Sequence, residues 1–202
     1  GGLVGARARA QRRVDETVPL RPDSPVPYSA TKARAEAAVL AANEDGAFET
    51  VVVRPRFIWG VGDTTLLPQL VEQCKTGKLM WIGGGEHRTS TSHIDNVVEG
   101  LVAAGLRGRP GNAYFVLDDG DVAWKDFIGA LVSTQGVEPP TRNLPKAVGA
   151  IVVRLPRSPL GKFAYWLSTQ ECTLDDAKIR RDTGYAPVKS REQGLAELRA
   201  AG

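Results

Sequence analysis

Cysteine is almost missing from this chain: two in 202 residues, Cys74 and Cys172, far apart and in no Cys-x-x-Cys or Cys-x-x-His spacing. That argues against a disulfide framework and against a zinc site or other bound metal, and makes a reducing cytoplasm the expected setting. No apolar run reaches the roughly 18 residues that a membrane-spanning helix needs. The nearest, AVGAIVV at 147–153, is closed by Lys146 and Arg154, with Pro156 soon after. The opening GGLVGARARAQRR lacks an apolar core of signal-peptide length, and its lack of serine before Ser24 sets it apart from a transit peptide. The net charge is +3, and Arg7, Arg9, Arg12 and Arg13 crowd into the start of the chain. No aromatics are interleaved there for base stacking, so the run reads as a solvated terminus and no nucleic-acid partner is expected.

What is present reads as strands alternating with helices. Residues 29–43, SATKARAEAAVLAAN, are strong helix formers stopped by Asp45-Gly46. TVVVRPRFIWG at 50–60 begins as the β-branched run of a buried parallel strand, and Pro55 should end or bulge it. Residues 65–78 form a second helix that tolerates Pro68 in its first turn. LMWIGGG is a short strand closed by glycines. The helix predicted over 94–108 places Val97, Leu101, Val102 and Leu106 on one stripe. NAYFVLDDG (112–120) is a strand and turn, with Asp118 and Asp119 as turn formers, and 123–136 an amphipathic helix. Two short helices about a Gly-Tyr-x-Pro turn end the chain, with Thr173 and Ser190 as caps. Such alternation gives an α/β fold with a parallel sheet.

The stretch PYSATKARAEAAV (27–39) sets Tyr28 four residues before Lys32, hence one turn apart on one helix face. An ammonium beside a phenol favours the phenolate, and such a pair can exchange a proton with an alcohol or carbonyl oxygen. The bland alternative is a surface tyrosine packed on a lysine stem. Context favours the first. DETVPLRPDSPVPYSATKARAE, RPRFIWGVGD, GGGEHRTSTSHIDNVVEGLVAA and DDAKIRRDTGYAPVKSREQGL occur in this order. The succession, from about Asp15 to Leu198, resembles the extended short-chain dehydrogenase/reductase family of NAD-dependent epimerases, dehydratases and 3β-hydroxysteroid dehydrogenase-like reductases.

The resemblance implies a Rossmann-like, doubly wound parallel sheet joined to a small mixed α/β substrate domain. It implies catalytic roles for Tyr28 and Lys32, and a place beside a bound NAD or NADP for Tyr28, Lys32, Pro55, Phe57 and Ile58. Arg88 is a candidate for a substrate phosphate or carboxylate, with a solvated surface role as the alternative. His93 is a candidate substrate-side acid–base, with shaping of the strand end as its alternative. HIDNV, with Asn96, points to the 3β-hydroxysteroid dehydrogenase or dihydroflavonol reductase side of the family. A sugar-nucleotide epimerase or dehydratase is the runner-up, and a non-catalytic fragment or partner subunit stands as the third reading. The substrate is expected to be a small molecule, hydrophobic such as a sterol, and residues 146–167 either line its pocket, touch a membrane surface or form a packed helix.

A nicotinamide enzyme also needs a glycine-rich turn between a strand and a helix to cradle pyrophosphate. GGLVGARA (1–8) has part of the spacing but no strand before it; GVGD (60–63) and GGG (83–85) leave the fingerprint incomplete. The family's catalytic Ser or Thr should also lie upstream of Tyr28, where residues 1–16 hold neither. The expectation is therefore a C-terminal part of such an enzyme, cut inside its nucleotide-binding domain. Residues 1–14 are expected to be an atypical, disordered start, 15–62 the remainder of the nucleotide-binding domain, and 63–202 mainly substrate domain with segments returning to the sheet. An exposed sheet edge should follow, making the chain alone poorly soluble or a homo-oligomer.

Overall fold

The computed structural model describes residues 10–155 and 162–202. Helix α1 (Pro27–Ala41) starts with proline in its first turn, where the missing N–H costs nothing, and buries Ser29, Ala30, Ala33 and Glu36. Strand β2 (Val51–Pro55) pairs in parallel with β7 (Asn112–Val116), Val51 facing Asn112 and Pro55 facing Val116. The strand ends at Pro55, as its lack of a donor requires. Phe57 then takes a left-handed φ of 49° and turns the chain into β3 (Ile58–Trp59), which pairs in parallel with β6 (Ser92–His93). Among the described residues, no strand pairs with the other edge of β2.

Helix α3 (Ile94–Arg107) lies across β2 and β7 and corrects the expected stripe. Its buried face is Asn96, Val97, Gly100, Ala103 and Ala104, whereas Leu101, Val102 and Leu106 are exposed. The reason is steric. A Cβ on Gly100 would lie 2.5 Å from a Val116 methyl, so the helix approaches the strand only through small residues.

A four-stranded sheet forms beside this one. Strand β1 (Gln11–Val14) pairs in parallel with β10 (Cys172–Leu174), β10 with β5 (Arg88–Thr89), and β5 runs antiparallel to β8 (Val122–Ala123). Residues 11–14 thus differ from the expected disordered start: Gln11 is buried and the Arg13 amide donates to Thr173 Oγ1 at 2.9 Å. Thr173 itself sits in β10 and does not cap α7 (Ala177–Thr183). Ser190 does cap α8 (Arg191–Ala201), through a reciprocal pair with Gln193.

Helices α2 (Leu66–Lys75) and α4 (Trp124–Ser133) pack together over Trp59, with Leu195 and Leu198 of α8 completing that core. Strand β4 (Trp81–Ile82) pairs with β9 (Asn143–Leu144), and α5 (Lys146–Val152) and α6 (Lys162–Thr169) follow. Part of the apolar 146–167 stretch lies outside the described residues. No described helix is long and apolar enough to cross a membrane.

Candidate active site

The 3.6-residue period of α1 puts Tyr28, Lys32, Ala35 and Val39 on one stripe, opposite the face built from Ala30 and Ala33. That stripe forms one wall of an open cleft of about 1140 Å³. Its floor is β2 and the turn after it, from Val51 to Ile58, and its far end is closed by Thr65, Leu66, Gln69 and Leu167. All five residues implied for the cofactor, Tyr28, Lys32, Pro55, Phe57 and Ile58, line this cleft. The Lys32 ammonium stands 5.9 Å from the centre of the Tyr28 ring, and the phenol is 57% exposed. A ligand lying in the cleft can therefore reach both groups directly.

Two interactions hold the walls in place. Glu36, one further turn along α1, accepts Arg54 Nε at 2.8 Å, and both side chains are about 95% buried. Phe57 is gripped by edge-on contacts to Trp124 and Phe127, with ring centres 5.2 and 5.4 Å away. Those contacts hold a non-glycine residue at positive φ, a conformation that carries a cost of about 1–3 kcal/mol.

Arg88 and His93 are placed elsewhere. Arg88, on β5, donates to the Asp121 carbonyl and does not line the cleft. His93 is 1% exposed, with its ring edge-on to Trp59 at 4.7 Å. Its Nδ1 accepts the Asp95 amide at 3.2 Å, capping α3, and burial pushes its pKa down.

Sequence reading missed the buried centre next to His93. Asp118, read as a turn former, is 5% exposed, and its carboxylate collects Trp59 Nε1 (2.8 Å), Thr91 Oγ1 (2.6 Å), the His93 amide (2.6 Å) and Asn96 Nδ2 (2.7 Å). Asn96 also donates to the Lys189 carbonyl and accepts the Val188 and Lys189 amides, so its amide is fully used in joining α3 to the approach to α8. Nothing in the local sequence separates this aspartate from its neighbour Asp119; only the fold buries one of them.

Of the glycines that might cradle a pyrophosphate, Gly60 and Gly83 are taken up by packing, whereas Gly62 meets nothing within 4 Å and Gly84 only Glu86 at 3.6 Å. A Cβ on Gly60 would meet Ile94 and His93 at 2.8 and 2.9 Å, and one on Gly83 would meet Lys146 at 2.3 Å. The residues lining the cleft thus fit the nicotinamide and ribose end of a dinucleotide, and no glycine among the described residues lines it.

Residues 2–146 match the 3-beta hydroxysteroid dehydrogenase/isomerase family. The chain is 41% identical over 210 residues to a 4-hydroxy-2-methyl-3-oxo-4-farnesyl-3,4-dihydroquinoline-1-oxide ketoreductase of Stigmatella aurantiaca, covering 98% of this chain and 63% of that protein. It is 35% identical over 205 residues to a 2-alkyl-3-oxoalkanoate reductase of Stenotrophomonas maltophilia, covering 92% and 61%. It therefore spans less than two thirds of the length of these relatives. Among solved structures, gox2253 superposes with a TM-score of 0.72 at 23% identity, over 99% of this chain and 65% of that one. A dTDP-glucose 4,6-dehydratase from Bacillus anthracis in complex with NAD superposes with a TM-score of 0.67 at 20% identity, over 98% and 58%. These likenesses identify the fold as Rossmann-like. With the ordered motifs, the five-residue cleft and the match over most of its length, the chain belongs to the 3-beta hydroxysteroid dehydrogenase/isomerase family.

Proposed function

We propose that this chain carries the proton-transfer and substrate half of an NAD(P)-dependent oxidoreductase acting on a CH–OH/C=O group of a small, largely apolar molecule. The supporting observation is the convergence of Tyr28, Lys32, Pro55, Phe57 and Ile58 on one cleft. In this reading residues 15–62 hold the cofactor-side remainder and residues 63–202 mainly the substrate side. Bound nicotinamide would supply or accept hydride. The chain's own residues do the rest: Tyr28 Oη gives a proton to the carbonyl oxygen or takes one from the alcohol. The Lys32 ammonium stands beside it and offers hydrogen bonds to ribose hydroxyls. Pro55, Phe57 and Ile58 present an apolar surface for the nicotinamide ring and keep water from it.

The test is a fluorescence titration of the folded chain with NADH and with NADPH, followed by assay after fusion to the nucleotide-binding half of the Stigmatella relative. Turnover should appear in the fusion, and Tyr28→Phe should cut it by at least about two orders of magnitude. Full activity in that variant removes Tyr28 from the chemistry.

A further inference from the structure

Arg56 follows β2 immediately and lines the same cleft as Tyr28 and Lys32. It is 5% exposed, yet it enters no ion pair among the described residues. Among the described residues its buried Nε has no hydrogen-bond partner, and the one hydrogen bond that the residue donates runs from its backbone amide to Ser92 Oγ at 2.9 Å. The guanidinium stands 5.5 Å from the centre of the Trp166 ring.

No carboxylate among the described residues lies within ion-pair distance of it. Cys172 feels its charge, but burial holds that thiol's pKa up, so it stays an uncharged S–H. His87 also feels it, and burial lowers the imidazole's pKa. The acids in this region form no ion pair with it: Glu171 pairs with Arg12 at 3.1 Å, and the Asp121 carboxylate accepts Ser90 Oγ at 2.6 Å. The contrast with Arg54, two residues earlier, is sharp. Arg54 is equally buried and has Glu36.

A guanidinium cannot shed its proton, and a buried cation without an anion is strongly unfavourable. A ligand anion would complete such a group. We propose that Arg56 is an anion-binding residue of the cleft and that the molecule bound there carries a carboxylate, so that the substrate is a hydroxy or oxo acid. A carboxylate is chosen over a phosphate because, with Lys32 assigned to the ribose, the single planar fork of Arg56 matches a single negative charge, whereas a phosphate dianion calls for further donors. The inference rests on the redox reading of the cleft for the identity of the reacting group, but the anion site itself does not depend on turnover.

Isothermal titration calorimetry of the folded chain, with and without NADP⁺, against 3-hydroxyoctanoate, its methyl ester and inorganic phosphate tests it. The acid should bind saturably and the ester about 10- to 100-fold more weakly. Arg56→Met should erase that difference; should it fail to fold, Arg56→Lys, which keeps the charge but loses the fork, should shrink it severalfold. Equal binding of acid and ester, an acid preference that survives in the variant, tighter binding of phosphate through Arg56, or no acid binding in either condition would overturn the proposal. Acid binding by the chain with no turnover in the fusion would keep the anion site and remove the redox reading instead.

Discussion

Glu36 and Arg54 form a closed pair between α1 and β2, with Arg54 Nε 2.8 Å from Glu36 Oε1 and both side chains shielded from water. Arg54 also reaches the Glu16 carbonyl at 3.4 Å and stacks on Phe115, its guanidinium 5.5 Å from the ring centre. Because Glu36 lies two turns beyond Tyr28 on the same helix, the pair fixes how that helix sits over the strand that ends at Pro55.

Removing one partner leaves the other as a bare buried charge. Glu36→Ala should lower stability by about 3–5 kcal/mol, while a double change of both residues to Met should recover most of that loss. Urea denaturation of the three proteins checks this; a double variant no more stable than the single one would show that the pair is more than a self-cancelling charge.

Asp118 holds four donors from two segments of chain, Trp59 and the stretch from Thr91 to Asn96. Asp118→Ala orphans the Trp59 indole, the Thr91 hydroxyl, the His93 amide and one Asn96 proton together. A loss of at least about 3 kcal/mol is expected, since each buried group left unpaired costs about 1–3 kcal/mol. A blunt loss of under 1 kcal/mol by chemical denaturation would mean that water replaces the carboxylate.

Two glycines of one helix should respond oppositely. Gly100→Ala meets Val116 at 2.5 Å and should destabilise by about 1–3 kcal/mol, overpacking outweighing the gain in helix propensity. Gly105→Ala meets nothing within 4 Å and should stabilise by up to about 1 kcal/mol. Thermal melts of both variants decide it, and equal signs would contradict the tight approach of α3.

His93 is buried and His87 half-buried, both with lowered pKa values, chiefly through desolvation; the Leu167 carbonyl beside His87 and the Asp95 and Asp118 carboxylates near His93 pull the other way. Between each depressed folded value and the ordinary value of about 6.5, the unfolded chain binds more protons than the folded one. Stability should therefore be fully present above about pH 6.5, fall as pH drops below it, and level off under the folded values. Melting temperatures from pH 7.5 to 5 measure the slope, which His93→Asn should reduce; an unchanged slope would assign it to His87.

Spacing made the Tyr28–Lys32 face legible, because i and i+4 on a helix admit one geometry, and Pro55 announced the end of its strand. What stayed hidden depends on contacts distant in the chain. The Val97–Leu106 stripe was read from hydrophobicity, but Val116 selects the small residues of α3 for the interior. Asp118 and Asp119 are locally alike, and burial of the first is decided by Trp59, Thr91 and Asn96. Gln11–Val14 carries no periodic signal, since its place is set by β10, which lies at the other end of the sequence.

Strand β2 is bonded on one side only among the described residues. Successive residues of a strand turn their amides to opposite edges, so Val51–Arg54 contains two sets of hydrogens, one committed to β7 and one turned toward the cleft. In deuterated water these sets should keep different time: the committed ones exchange only when the sheet opens, the others far sooner. A single strand thus carries its own clock and its own reference, and anything that comes to lie along it, whether ligand or polypeptide, would be recorded as the fast hand slowing to the pace of the other.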